Sequence, residues 1–191
     1  DISNTRHYKM VKKYKSKIDI TIITLIDNGF YETELKEAGI KIFSLGIDRK
    51  NNHIGFIKKI LILWKFIKKK NPDIIQSWMY HSNFFTLFFP KIFYDKIFWN
   101  IRHAELNSKI SKKIKFLLSI VCGLFSKVVP KKIVYCSERS IEFHENQHLY
   151  SKNKTVLIYN GCSDKTYYPS KYSRSNFRKT NKINKSDIIL G

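Results

Sequence analysis

Ile18-Asp-Ile-Thr-Ile-Ile-Thr-Leu-Ile26 is apolar or β-branched at every position but one, with no alternation along the run. A strand with one wetted face shows a period of two. A run without that period is covered on both faces, as in a parallel sheet. This narrows the fold to architectures that bury a sheet under helices. Five more segments read as strands: Ile40 to Ile47, Asp73 to Trp78, Ile97 to Arg102, Lys132 to Ser137 and Thr155 to Tyr159. Helical stretches separate them. Tyr31 to Ala38 closes on Gly39 at a C′ position. Ile54 to Lys70 carries Ile54, Ile57, Ile60, Leu61, Trp64 and Ile67 at helical spacing and stops at Asn71-Pro72. Asn83 to Phe89, Ser111 to Lys127 and Ser140 to Gln147 complete the series, and Ser3 to Lys17 reads as the later part of another helix. Strands alternating with helices predict an α/β fold with a doubly wound, mostly parallel, Rossmann-like sheet.

The last strand ends at Asn160-Gly161, a pair that tolerates positive φ and turns the chain sharply. A polar loop leads on to Tyr168-Pro169. Ser170 to Asp187 is polar, cationic and non-periodic, and Ile188-Ile-Leu-Gly191 opens a new apolar run. The division expected is a domain over 1–169, a linker over 170–187, and the first residues of a second domain at 188–191. Asp1 in place of a methionine and a glycine closing an apolar run make both ends read as cut.

Thirty-six Lys and Arg against fifteen Asp and Glu give a formal charge of +21. Such an excess favours anionic partners: a membrane face, phosphorylated substrates or nucleic acid. A compositional bias, with Lys, Ile, Asn, Phe and Tyr all abundant as an AT-rich gene produces, accounts for it equally well. Among the binding readings the membrane surface leads. The lysines are spread over every helix, and no aromatic-basic interleave marks a base-stacking sheet. Cys122, Cys136 and Cys162 are odd in number and lack C-x-x-C spacing, which points to a reducing compartment and away from a disulfide framework or zinc site. The most apolar helical run, Phe116 to Phe125, is too short to span a bilayer, which takes about 20 residues.

In doubly wound sheets ligands sit beyond the carboxyl ends of the strands. After the third strand comes Gln76-Ser-Trp-Met-Tyr-His-Ser-Asn83. Trp78 and Tyr80 offer flat faces that suit sugar rings, and His81 and Asn83 can bond hydroxyls; the structural reading is that Trp78 and Met79 cap the core. After the fourth comes Asn100-Ile-Arg-His-Ala-Glu105, where Arg102 can neutralise phosphate and His103 can exchange a proton near neutral pH. A lone histidine can equally be structural, but His103 has position, an adjacent Arg102 and the nearby Glu105. His7, His53, His144 and His148 are expected on the solvated surface. Ser137 is expected to cap the helix after the fifth strand, Cys136 to be a small core residue and Cys162 to lie beside the Asn-Gly turn. No G-x-G-x-x-G, P-loop, G-x-S-x-G or zinc-ligand pattern occurs.

Asp73-Ile-Ile-Gln-Ser-Trp-Met-Tyr-His81, the strand ending in Arg102-His103, the strand ending in Cys136-Ser137, and Ile158-Tyr-Asn-Gly161 with Tyr168-Pro169 occur in this order. The set resembles the N-terminal half of retaining glycosyltransferases of the GT-B fold, the "glycosyltransferase family 4-like" group, from about Ile18 to Gly191. The resemblance implies the acceptor-side domain of an enzyme moving sugar from a nucleotide-sugar to a saccharide or lipid-linked acceptor, without an obligatory metal or other cofactor. It implies that His103 is the catalytic residue touching the transferred sugar, and that Trp78, Tyr80, His81, Asn83 and Arg102 line the acceptor side. Asn160 and Gly161 then lie on the donor and hinge side. The family's first strand and its Gly-Gly loop belong ahead of Ser3, and its donor-binding domain belongs after Ile188. The expected setting is surface polysaccharide assembly in the cytoplasm, peripheral at the inner membrane face. The rival readings are a non-enzymatic basic α/β module that binds nucleic acid and an inactive transferase remnant.

Overall fold

Six short strands, all paired in parallel, alternate with helices in the computed structural model. It describes residues 13–14, 16–27, 29, 31–47, 55–104, 106, 113–161, 168–184 and 186–189. The elements are β1 (Thr21–Thr24), α1 (Glu32–Glu37), β2 (Lys41–Ser44), α2 (Phe56–Lys70), β3 (Ile75–Trp78), α3 (Met79–Thr86), β4 (Ile97–Ile101), α4 (Lys113–Phe125), β5 (Lys132–Tyr135), α5 (Glu138–Gln147), β6 (Thr155–Leu157) and α6 (Lys171–Thr180). Most of Ser3–Lys17, together with Ile54, Glu105, Cys162, His7 and His53, lies outside the described residues, as do Leu190 and Gly191.

Each expected strand is present, one to three residues shorter at one or both ends than its apolar run. The turn signals act where the sequence puts them. Gly39, at φ +76°, follows the C-cap of α1, and Asn71 ends α2 in the left-handed region at φ 43°. Ser137 accepts the Ser140 backbone N–H at 3.2 Å and caps α5. Cys136 falls one residue beyond β5 instead of inside it, half-buried.

The sheet differs in one respect from a single six-stranded ladder. Among the described residues β1 pairs only with β2, while β3-β4-β5-β6 form a second ladder in chain order. Among the described residues no strand pairing joins the two ladders.

The core sits against β4 and β5. Ile97, Trp99, Ile101, Ile133 and Tyr135 are fully buried, and α2 adds Leu63 and Ile67. Phe56 at the start of α2 packs on Phe84 and Phe85, so α2 and α3 share this layer, and α4 packs on α3. The one polar group of Trp99 is satisfied: its indole N–H donates to Thr86 Oγ1 at 2.8 Å, and Thr86 donates to the Asn83 carbonyl at 2.7 Å.

Residues Asp1–Ile158 and Tyr159–Gly191 are two separate compact units. In the second, the stretch expected as an irregular linker carries α6. Ser170 caps it by accepting the Ser173 N–H at 3.1 Å. The guanidinium of Arg178, nearly buried, donates to the carbonyls of Asn184 and of Asp187, the latter at 2.7 Å. No apolar stripe marks this helix in the sequence, because its ordering contacts are polar. Ile188 and Ile189 are exposed and outside any strand.

Candidate functional site

β3 ends at Trp78, and the next residue already belongs to α3. Met79 makes the change of direction alone, in the left-handed region at φ +67°. That conformation costs a non-glycine residue on the order of 1 kcal/mol and is held by the surrounding structure. The stretch Gln76 to Asn83 is therefore a strand end joined directly to a helix, which begins four residues before the expected Asn83.

Trp78 stays half-buried at the edge. Its register partner on β4 is Asn100, and Arg102, two residues on, places its guanidinium 4.9 Å from the Trp78 ring centre. A contact of this kind contributes roughly 0.5–1 kcal/mol at a partly open site and holds the cation over the ring. His103 follows, also half-buried. Its carbonyl accepts the Ser140 hydroxyl at 2.6 Å, and its ring lies 5.8 Å from that of Tyr80. The Cys136 thiol donates to the Arg102 carbonyl at 3.7 Å. The ends of β3, β4 and β5 are thus tied into one edge by the side chains of Arg102, Cys136 and Ser140. His103 Nδ1 has no hydrogen-bond partner among the described residues. Burial, and then the positive charge of Lys115, push the His103 pKa below its ordinary value, so the ring is neutral at pH 7. A neutral imidazole both accepts and donates, which suits a hydroxyl better than a phosphate.

Tyr80 and Asn83 require correction. Because α3 starts at Met79, both fall on its inner face and are fully buried. Tyr80 bonds His144 Nε2 at 2.8 Å, and Asn83 accepts the buried Ser77 hydroxyl at 2.7 Å. Neither can meet an acceptor; both position the edge from beneath. His81 is on the exposed side of α3. Asn160 and Gly161 are exposed and belong to the second unit.

The surface assignment of His144 and His148 is also corrected, since both are buried. The Ser140 carbonyl lies 2.6 Å from His144 Nδ1 and can only accept, so the proton is on Nδ1 and Tyr80 donates to Nε2. His148 Nδ1 shares a hydrogen bond of 2.7 Å with Ser119 Oγ on α4. The polar spacing Ser140, His144, His148 is a four-residue repeat on one helix face beside Ile141, and that was the available signal. These residues read as solvated because histidine in isolation is polar.

Burial holds the His144 pKa down at about 4, with the Ser140 carbonyl opposing and His148 and His103 adding to the depression. The folded ring therefore stays neutral while the unfolded chain takes up a proton below its ordinary 6.5. The contribution is complete above pH 6.5 and is lost as pH falls from there toward 4, amounting to about 3 kcal/mol. Urea unfolding across this range should show the loss, and His144→Gln, which keeps a polar group toward Tyr80 without a titrating one, should flatten it. A slope that His144→Gln leaves unchanged would move the effect to another group.

Among the described residues no cluster of three His, Cys, Asp or Glu is placed to hold a metal ion, and no helix is long and apolar enough to cross a membrane.

No protein-family model and no curated protein matches the chain. Solved structures do. Anabaena Alr3699/HepE in complex with UDP aligns over 92% of this chain and 45% of its own, with a TM-score of 0.63 and 14% identity. Its complex with UDP-glucose gives 0.63 and 14% over 92% and 44%, and its complex with UDP and glucose 0.60 and 13% over 92% and 45%. The chain thus spans a little under half the length of these neighbours and shares the α/β fold of that part.

Proposed function

We propose that this chain is the acceptor-side half of a retaining, family 4-like GT-B glycosyltransferase that uses a nucleotide-sugar. The observation that carries the reading is the edge where Trp78, Arg102 and His103 meet. An aromatic face, a cation held against it and a neutral imidazole stand together beyond the strand ends, where open α/β sheets bind ligands. The likeness to a protein solved with UDP and UDP-glucose supports a nucleotide-sugar as donor. The acceptor is a saccharide or a lipid-linked saccharide, in surface polysaccharide assembly in the cytoplasm at the inner membrane face. The donor is a co-substrate, and no metal is obligatory. His103 touches the transferred sugar, Trp78, His81 and Arg102 line the acceptor side, and Asn160 and Gly161 serve the donor side and hinge.

The test is transfer by the intact protein from a panel of sugar nucleotides, beginning with UDP-glucose. Arg102→Ala should raise the acceptor KM about tenfold, by removing a charge-assisted contact, with the donor KM unchanged. A change confined to the donor KM would place Arg102 on the other substrate. No transfer from any sugar nucleotide would remove the transferase reading.

A further inference from the structure

The segment from Leu106 to Ser137 contains no acidic residue. Its helix, α4, has two sharply different sides. Ser119, Cys122 and Gly123 face the core and are buried. Ile114, Leu117, Leu124 and Phe125 lie within roughly one-third of the helix circumference on the opposite side, and each is between 50% and 59% exposed. Val128, in the turn that follows, extends the stripe with 58% exposure. Lys113 and Lys127 border it. Near its end the surface forms a recess of about 720 Å³, whose lining includes Leu124, Leu149, Lys127, Lys152 and one acid, the half-buried Glu145, which accepts the Thr155 hydroxyl. α2, in the same layer, repeats the theme: Ile57, Leu61 and Trp64 are exposed between lysines, again without an acid.

We propose that the outer face of α4 is a docking surface for an anionic lipid bilayer, with the apolar stripe entering the interface and Lys127 and Lys152 meeting headgroup phosphates at the recess. The chemistry selects this occupant. An apolar stripe alone fits any greasy partner, but one bordered by Lys113, Lys127 and Lys152, with Glu145 of the recess engaged by Thr155, fits a surface that is apolar inside and negative at its boundary. Lysine stems lie along the apolar surface while their ammonium groups reach the headgroups. A second copy would bring its own +21 charge to the contact and repel. The inference deepens the membrane-proximal part of the transferase reading and rests on it only for where the acceptor lies.

The experiment is flotation of the intact protein with vesicles of phosphatidylcholine alone and of phosphatidylcholine mixed equally with phosphatidylglycerol. Binding is expected to the mixed vesicles and to fall steeply with salt. Leu117→Glu and Leu124→Glu replace exposed side chains and leave the fold intact by circular dichroism. Each should weaken binding roughly tenfold or more, and Lys127→Gln about fivefold, the loss of one surface cation. Absence of binding to the mixed vesicles overturns the proposal, as does binding that neither leucine variant changes. A dimer or a complex with another protein that Leu117→Glu dissolves, without vesicle binding, shows a different occupant and also overturns it. Sugar transfer to a water-soluble acceptor is measured in parallel. Its loss in every form, with vesicle binding intact, removes the transferase reading and leaves the surface standing. Its retention in Leu124→Glu with vesicle binding lost separates the two in the other direction.

Discussion

If the proposed transfer reaction holds, His103→Ala is expected to lower turnover of the intact protein about a hundredfold or more, the scale of a group that moves or holds a proton in the transition state. Folding should be spared. The tie that His103 makes to α5 runs through its backbone carbonyl to the Ser140 hydroxyl at 2.6 Å, which alanine retains. The side chain contributes no hydrogen bond through Nδ1 among the described residues, so its removal strands no partner there. Its depressed pKa adds a second readout: the ring is already neutral at pH 7, so turnover should not rise further as pH increases above it. Unfolding by heat, followed together with initial rates at saturating donor, separates the effects. Turnover within a few-fold of wild type would take His103 out of the reacting centre and leave it as a structural residue at the edge.

Gly123→Ala is expected to be the most damaging glycine-to-alanine substitution among the described residues. Alanine is normally the better helix residue by about 1 kcal/mol. At this position, however, a Cβ would stand 1.7 Å from the His148 carbonyl oxygen, 2.9 Å from its carbonyl carbon and 3.1 Å from Tyr150 Cδ2. The first two atoms are backbone, so no rotamer change relieves them. Either α4 or the segment after α5 must move, and the His148–Ser119 hydrogen bond of 2.7 Å joins these same two elements. The cost should reach about 3 kcal/mol or more, at the upper end of overpacking, a fall in melting temperature of roughly 6–12 °C for a chain of this size. Cys122→Ser at the neighbouring position is the comparison, because it keeps the backbone approach and changes only the side chain. If Gly123→Ala melts with the wild type, the close approach of α4 to His148 is absent in solution.

Much of the site was legible because strand ends are marked by changes in residue type. Apolar runs stop at Trp78, Arg102 and Ser137, and the polar or aromatic residues there stand out in the sequence itself. Their grouping followed from the parallel topology, which brings successive carboxyl ends to one edge. What failed was the local geometry. Whether Tyr80 and Asn83 faced a ligand or the core depended on one residue, Met79, taking a left-handed conformation that methionine rarely adopts. No propensity signals that. The same four residues of displacement turned a recognition loop into a helix with an inward face.

The alternation of unpatterned apolar runs with helical stripes, the caps at Gly39, Asn71 and Ser137, and the order of the strands were determined by the sequence itself. Each depends on the chemistry of neighbouring residues. Only the tertiary structure decided that His144 and His148 are buried, that Arg102 lies on Trp78, that Gly123 admits the chain at 148–150, and that the described strands pair as two ladders, β1-β2 and β3-β4-β5-β6. These depend on atoms tens of residues apart meeting at fixed distances. A histidine carries the same polarity in water and in a core, and only its partners across space, Ser140, Tyr80 and Ser119, make the core the lower-energy place for it.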